Sequence, residues 1–454
     1  MIAPARQAAY DALRAVTSRR ADLPSALARV RTSLPDERDR ALAGEIVTGT
    51  LRWMGAFDHV IEAFARRPVG KLDPEVVDVL RLTAFQLLHL DRVPASAAVN
   101  DAVNLVRKAG KKSASGLVNA VLRRISRERR TLPLPARPEE GGTRDAAIAY
   151  LATALSHPAW LAARWLDRYG FAAAEAWAQF DNAPAALTLR TNTLAANRDT
   201  LAAALAAEGV TTEPTRFAPD GLVVRSGNPL LTPLAGSGRF VVQDESSQLV
   251  ALLVGARPGE TVLDACASPG GKTTAMAAMM EDAGRLVALD VRSRRVALLA
   301  RTVRESAASC VRLVQADVSR ALPFRPAFDA VLLDAPCSGL GTLRRDPEIR
   351  WRRRLDELPR LAGVQRAMLR EAARVVKPGG RLIYATCSSE PEENEEVVEA
   401  VLKEDASLQP APAAAHPAAL QRFVSDAGYF QTTPFRDGLE GFFAAMLVKT
   451  KDLR

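Results

Sequence analysis

Apolar positions recur at three- and four-residue spacing through the first 130 residues, and nothing there alternates as a strand does. The run Val76–Leu88 is apolar nearly all round, which predicts the central helix of a bundle. Pro94 then interrupts, and Ser96 is placed to cap the helix that follows. From Ser115 to Arg129 one face carries Leu117, Val118, Val121, Leu122 and Ile125. Residues 1–130 therefore read as an all-helical domain. Pro133, Pro135, Pro138, Gly141 and Gly142 mark a linker at 131–145. Residues 146–182 are helical in pattern. Strand patterns at 187–192, 222–225 and 239–243, with a helix at 200–208, then make 146–240 a helical segment plus a small α+β module. From about residue 245 strands at 261–265, 285–290, 311–316, 329–334 and 380–386 alternate with helical patterns. That alternation predicts a doubly wound, mostly parallel α/β sheet over 241–454. Segments 429–432 and 441–448 are expected to close it as an antiparallel hairpin, and the Ala/Pro-rich 409–418 to be a loop.

Composition narrows the class. With 454 residues, 48% hydrophobic and 25% charged, the chain is an ordinary soluble protein of two or three domains. The longest apolar run, near 146–155, is too short to span a membrane, and residues 1–6 lack the apolar core of a signal peptide. A cytoplasmic protein with no membrane partner is expected. Of the four cysteines none forms a Cys-x-x-Cys pair and none has histidine at ligand spacing, so neither a metal site nor a disulfide framework is expected. The net charge of +9 is concentrated: residues 1–130 hold 23 Lys/Arg against 14 Asp/Glu, and the remainder hold 38 of each. The excess gathers at Arg107, Lys108, Lys111, Lys112, Arg123, Arg124, Arg127, Arg129 and Arg130. Such clustering points to a polyanion, nucleic acid above all, against the plainer alternative of a solvated helix face.

The strand Val262–Asp264 runs into Ala265-Cys266-Ala267-Ser268-Pro269-Gly270-Gly271-Lys272-Thr273, a glycine turn opening a helix. A phosphate loop needs glycine where Cys266 stands, and the dinucleotide pattern Gly-x-Gly-x-x-Gly is missing, so ATP and NAD are disfavoured. S-adenosylmethionine needs no phosphate cradle. Asp290, 20 residues after Gly270, ends the next strand where a carboxylate can accept from ribose hydroxyls. Asp317 follows the third strand, within reach of an adenine amino group, and Asp334 ends the fourth. A strand-ending Asp also serves as a helix cap, but three share the register.

Cys337 and Cys387 follow the fourth and fifth strands, neighbours in the usual doubly wound order, so both should enter the crevice beside the cofactor. Cys310 is expected to be a small core hydrophobe, and Cys266 to offer backbone contacts only. A thiol beside a methyl donor suits one reaction. Carbon 5 of a pyrimidine is a poor nucleophile until a thiolate adds to carbon 6 and turns the ring into an enamine. Asp334 is placed to support protonation at N3, and the second cysteine to serve or assist the base that removes the C5 proton.

These motifs resemble the Sun/Fmu family of RNA cytosine-5 methyltransferases. Asp264–Lys272 resembles its cofactor loop, Asp334–Gly339 with Arg344–Trp351 its fourth motif, and Tyr384–Ser388 with Pro391-Glu392-Glu393-Asn394 its sixth. The segments Arg81–Leu88 and Gly116–Arg124 resemble the NusB-like RNA-binding domain. NusB-like plus methyltransferase is the architecture of bacterial enzymes acting on 16S rRNA, so the likeness spans nearly the whole chain. It implies a Rossmann-like sheet of seven strands, S-adenosylmethionine as cofactor, 5-methylcytosine as product and 16S rRNA as substrate, with tRNA the alternative. It implies Cys387 as nucleophile and Cys337 in product release. Cofactor contacts carry over to Cys266, Ala267, Ser268, Pro269, Gly270, Gly271, Lys272, Asp290, Asp317 and Asp334. Ser268 departs from the more usual alanine. Arg344, Arg345, Arg350, Arg352, Arg353 and Arg354 are expected to hold RNA phosphates, or else to pair with Asp346, Glu348, Asp356 and Glu357. A monomer is the default expectation. Two readings of other kinds compete: a non-catalytic, antitermination-like RNA-binding factor, against which the intact cofactor loop and both cysteines speak, and a dehydrogenase. The missing fingerprint and the remoteness of His59, His89, His157 and His416 from the crevice loops disfavour the latter.

Overall fold

A computed structural model describes residues 2–451. The chain forms two compact units, Met1–Pro184 with Leu343–Arg353, and Ala185–Thr342 with Arg354–Arg454.

The first unit is helical: α1 (Pro4–Thr17), α2 (Leu23–Ser33), α3 (Glu37–Arg52), α4 (Met54–Ala65), α5 (Pro74–His89), α6 (Ala95–Lys108), α7 (Ser115–Arg127), α8 (Arg144–Ala149) and α9 (Ala159–Asn182). Asp22 and Asp36 cap α2 and α3 through their side chains, and proline opens α1 and α5. Helix α5 is central, as its all-round apolar pattern predicts: Val76 to Leu87 is buried except Arg81. Gly49 of α3 meets the Phe85 ring of α5 so closely that a Cβ there would lie 2.0 Å from a ring carbon. One expectation fails: α6 begins at Ala95 behind Pro94 with no side-chain cap, and Ser96 lies inside the first turn. Pro94 already fixes a helix-entry backbone without a side-chain acceptor.

In the second unit β1 (Thr188–Thr191), α10 (Arg198–Ala207), β2 (Thr211–Pro214), β3 (Gly221–Ser226) and β4 (Phe240–Val242) make an antiparallel sheet of order β2-β3-β1-β4. The chain continues through α11 (Glu245–Val254), β5 (Thr261–Asp264), α12 (Gly271–Met279), β6 (Arg285–Asp290), α13 (Ser293–Glu305), β7 (Val311–Gln315), β8 (Phe328–Asp334), α14 (Leu358–Val375), β9 (Val376–Thr386), α15 (Glu395–Glu404), β10 (Leu408–Pro410), β11 (Phe430–Thr432) and β12 (Phe442–Lys449). The main sheet has the order β10-β12-β9-β8-β5-β6-β7. Strands β5 to β9 pair in parallel, and β12 runs antiparallel to β9. The order reverses between β5 and β8, which opens the ligand crevice at their C-terminal ends. The sheet has eight strands instead of seven, because β11 adds to β12 as the hairpin partner read from the sequence. The 409–418 segment is only partly loop: β10 pairs with β12 through Pro410, a residue suited to an edge, and Ala411 N still donates to Met446 O at 2.8 Å.

Among the described residues no helix is long and apolar enough to cross a membrane, and no group of three or more His, Cys, Asp or Glu could hold a metal ion.

Candidate active site

Strand β5 delivers Asp264 to the floor of the glycine turn. Its carboxylate is buried and accepts from Thr273 Oγ1 at 2.7 Å. Burial pushes its pKa up to about 7, with the Thr273 hydrogen bond opposing and the charge of Asp334 adding. Gly270 takes φ +109°, a left-handed backbone that lets the chain swing into α12 at Gly271. One residue on, Lys272 Nζ lies 2.6 Å from Asp334 Oδ2 at the end of β8. Burial pulls the Lys272 pKa down, but Asp334, Cys387 and Asp264 together hold it above the ordinary value. The Lys272 ammonium also sits 5.6 Å from the centre of the Phe442 ring.

The adjacent ends of β8 and β9 bring the two thiols together: Cys337 Sγ and Cys387 Sγ are 3.3 Å apart. A disulfide needs about 2.05 Å, so both are free thiols in contact. The hydrogen bond with Cys387, burial, and the charges of Cys387 and Glu393 raise the Cys337 pKa well above the usual thiol range. Cys266 is raised as well, by burial and then by Asp334, Asp264 and Asp290. Cys310 is buried away from these groups, before β7, and burial with the Asp282 hydrogen bond pushes it up to about 12. Neither has the thiolate character that reactivity needs.

The other candidates are spread along the strand ends. Asp290 is 4% exposed; its Oδ1 accepts from Arg292 N at 3.2 Å, and Arg295 Nη1 is 3.9 Å from Oδ2. Asp317 is turned onto its own loop, accepting from Ser319 N at 2.9 Å and Ser319 Oγ at 2.6 Å, as a capping residue does.

The arginines after the Cys337 loop differ most from expectation. Arg350 belongs to the first unit and is fully buried. Its Nη1 donates to Ser156 O and Asn182 Oδ1 at 3.0 Å and to Arg52 O at 3.3 Å, and Nη2 donates to Asp181 O at 3.4 Å. Arg344 donates to Ala183 O and Pro184 O, and Arg352 to Ala21 O and Glu348. These guanidiniums are engaged by backbone carbonyls at helix ends and turns and by the side chains of Asn182 and Glu348. Arg354 is exposed and pairs with Asp356 at 3.0 Å.

Two groups escaped the sequence reading. Buried Arg190 of β1 donates to Gln243 Oε1 and to Thr274 Oγ1 of α12, both at 2.8 Å, tying the small sheet to the cofactor-turn helix. Glu393 lies fully buried beneath the thiols. Its only signal was its place in Pro391–Asn394. In the first unit, a groove of about 770 Å³ between α6 and α7 is lined by Arg107, Arg123, Arg127, Asn100, Asn119 and Ser126.

A family model described as 16S rRNA methyltransferase RsmB/F matches residues 251–448, the NusB family matches 3–127, and an RsmF/B-like ferredoxin-like domain matches 157–230. A probable ribosomal RNA small subunit methyltransferase B of Bacillus subtilis (strain 168) is 35% identical over 424 residues, 92% of this chain and 93% of its own. Ribosomal RNA small subunit methyltransferase B of Pseudomonas putida is 35% identical over 408 residues, 87% of this chain and 88% of its own. The crystal structure of PH0851 is similar at TM-score 0.81 and 27% identity over 99% of both chains.

Proposed function

Because the chain belongs to the 16S rRNA methyltransferase RsmB/F family and uses S-adenosylmethionine, we propose that it methylates carbon 5 of a cytosine in small-subunit rRNA through a cysteine adduct. The observation that carries the proposal is the pair of thiols 3.3 Å apart in the unit that also holds the Lys272–Asp334 pair. What supports the cofactor's place is that Asp290 keeps spare acceptor capacity suited to ribose hydroxyls and that Cys266 to Gly271 form the glycine turn after β5. When bound, S-adenosylmethionine supplies the electrophilic methyl that carbon 5 takes up.

The residues of the chain do the rest. The Cys387 thiolate, with the Lys272 ammonium near it, adds to carbon 6, and the electrons of the C5–C6 double bond move toward carbon 5. Asp334 supports the proton that N3 gains as the ring becomes an enamine. After methylation a base removes the C5 proton, the double bond re-forms, and Cys387 leaves as thiolate. Cys337 assists this release: its environment favours the protonated thiol, and 3.3 Å from Cys387 Sγ that S–H can donate a hydrogen bond to the sulfur as it departs. Arg107, Arg123 and Arg127 in the α6/α7 groove supply phosphate contacts for the RNA.

The test is transfer of labelled methyl to deproteinised small-subunit rRNA, with tRNA alongside and the product nucleoside mapped. Label in one rRNA 5-methylcytosine is the expected result. Label only in tRNA overturns the substrate, and label at another atom overturns the adduct chemistry.

A further inference from the structure

Strand pairing stops short of the two thiols. The β8–β9 ladder ends at Asp334 opposite Ala385, with one more bond from Ala335 N to Ala385 O. Cys337 and Cys387 lie beyond it, on loops that the ladder does not hold. Past the ladder one backbone bond joins the two loops, Gly341 N to Cys387 O at 2.9 Å, and side chains must supply the rest of what keeps the two sulfurs in contact.

We infer that Glu393 is the positioning residue that clamps the two cysteine loops together and differentiates the thiols, with the cysteine-adduct chemistry proposed above as premise. Its Oε1 accepts from Ser338 N at 2.8 Å, directly after Cys337. Its Oε2 accepts from Ser388 Oγ at 2.5 Å, directly after Cys387. The two serine hydroxyls are themselves 3.1 Å apart. Gln365 Nε2 of α14 donates to Glu393 Oε1 and to Pro336 O, both at 3.0 Å, so the clamp reaches the residues on both sides of Cys337. Tyr384 Oη donates to the Glu393 carbonyl at 2.5 Å, and Asn394 holds the Cys387 loop through Thr386 Oγ1 and Ser388 O. One carboxylate thus joins both loops and a helix.

The carboxylate is fully buried, and among the described residues its bonds come from neutral donors. A buried charge without a cation is costly, whereas a neutral side chain would hold the loops at lower cost. The charge therefore has a use. Cys387, Tyr384 and Glu393 itself are among the titratable groups facing Cys337, and the Glu393 charge favours the protonated Cys337 thiol. Lys272, by contrast, faces Cys387. Two chemically identical side chains in contact thus have different charged neighbours.

Glu393→Gln and Glu393→Ala in the full chain test this. Glutamine removes the charge but can accept from Ser338 N–H and donate to Ser388 Oγ. Glu393→Ala should lower kcat for methyl transfer about 100-fold with KM for S-adenosylmethionine changed less than about threefold, since loosening reacting groups by about 1 Å has that effect. Glu393→Gln should recover most of kcat, while alkylation of Cys337 by iodoacetamide, followed by mass spectrometry, begins at lower pH than in the wild type. An unchanged kcat in Glu393→Ala, or an unchanged Cys337 alkylation profile in Glu393→Gln, overturns the clamp. If the alanine variant does not fold, the glutamine arm alone decides. The alkylation arm needs no RNA, so it judges the clamp even where the wild type fails to methylate cytosine.

Discussion

Replacing Arg350 by methionine keeps the side-chain volume and removes the guanidinium. Four acceptors then lose their donor: Ser156 O, Asn182 Oδ1, Arg52 O and Asp181 O. Two of these bonds are at 3.0 Å and two are longer, and the site admits no water to replace them because Arg350 is fully buried. Removing one partner of a buried charged network costs about 3–5 kcal/mol, and two good bonds to a charged donor account for about 3–6 kcal/mol. We take about 4 kcal/mol, a large share of the roughly 5–15 kcal/mol a domain has. The assay is built into the chain. All five tryptophans, Trp53, Trp160, Trp165, Trp177 and Trp351, lie in the first unit, so their fluorescence in urea follows that unit alone. With a slope of about 2 kcal/mol per M, the midpoint should fall by about 2 M. Binding of S-adenosylmethionine to the second unit is the control for its integrity. A midpoint shift below about 0.5 M would mean that the buried guanidinium is energetically idle, and the reasoning from unpaired acceptors would be wrong.

Three further outcomes are expected. Cys387→Ala should abolish methyl transfer and leave no RNA adduct, while Cys337→Ala should accumulate a slow-migrating RNA–protein species on denaturing gels; free turnover by either variant contradicts the assigned roles. Changing Arg107, Arg123 and Arg127 together to glutamine should weaken RNA binding and flatten its log–log salt dependence by about 2, at about 0.7 per phosphate contact on single strands; an equal slope demotes the groove to a solvated face. Burial raises the Asp181 pKa to about 7, against the lowering charges of Arg350, Arg344 and Arg52. A carboxyl raised on folding contributes stability below its unfolded value near 4 that is lost as pH rises toward about 7. Asp181→Asn should therefore remove this fall, so that the wild type loses ground to the variant in the tryptophan-detected urea midpoint between about pH 4 and pH 7, and a difference between the two that stays constant or grows in the wild type's favour across that window refutes the sign.

The sheet and its crevice were legible because each carries a local signature. Strands β5 to β9 are apolar runs ended by Asp or by a turn, and parallel connectivity then dictates that their C-terminal ends meet. Cys337 and Cys387 could be paired from that rule alone, although the rule does not say which attacks. Lys272 was legible as part of a turn but not as the partner of Asp334, since an ion pair between residues 62 positions apart leaves no periodic trace. Glu393 and Arg190 are buried charges whose function lies in hydrogen bonds to distant loops, and a charged letter in a sequence reads as surface. The same bias misplaced Arg350: a run of arginines looks like a phosphate site, but this buried one donates to the carbonyls of Arg52 and Asp181 at the ends of α3 and α9.

The segment Leu343–Arg353 lies between stretches of the second unit in sequence but belongs to the first. That threading has a consequence for synthesis. As the chain leaves the ribosome, helices α1 to α9 are complete at residue 182, yet Ser156, Asn182 and Leu51 still lack the donors that Arg350 and Trp351 bring. The N-terminal bundle must wait, open at that seam, until β5 to β8 have emerged. At a translation rate of about 5–20 residues per second the delay is on the order of ten seconds or more. A protein cut after residue 184 would lack those donors permanently.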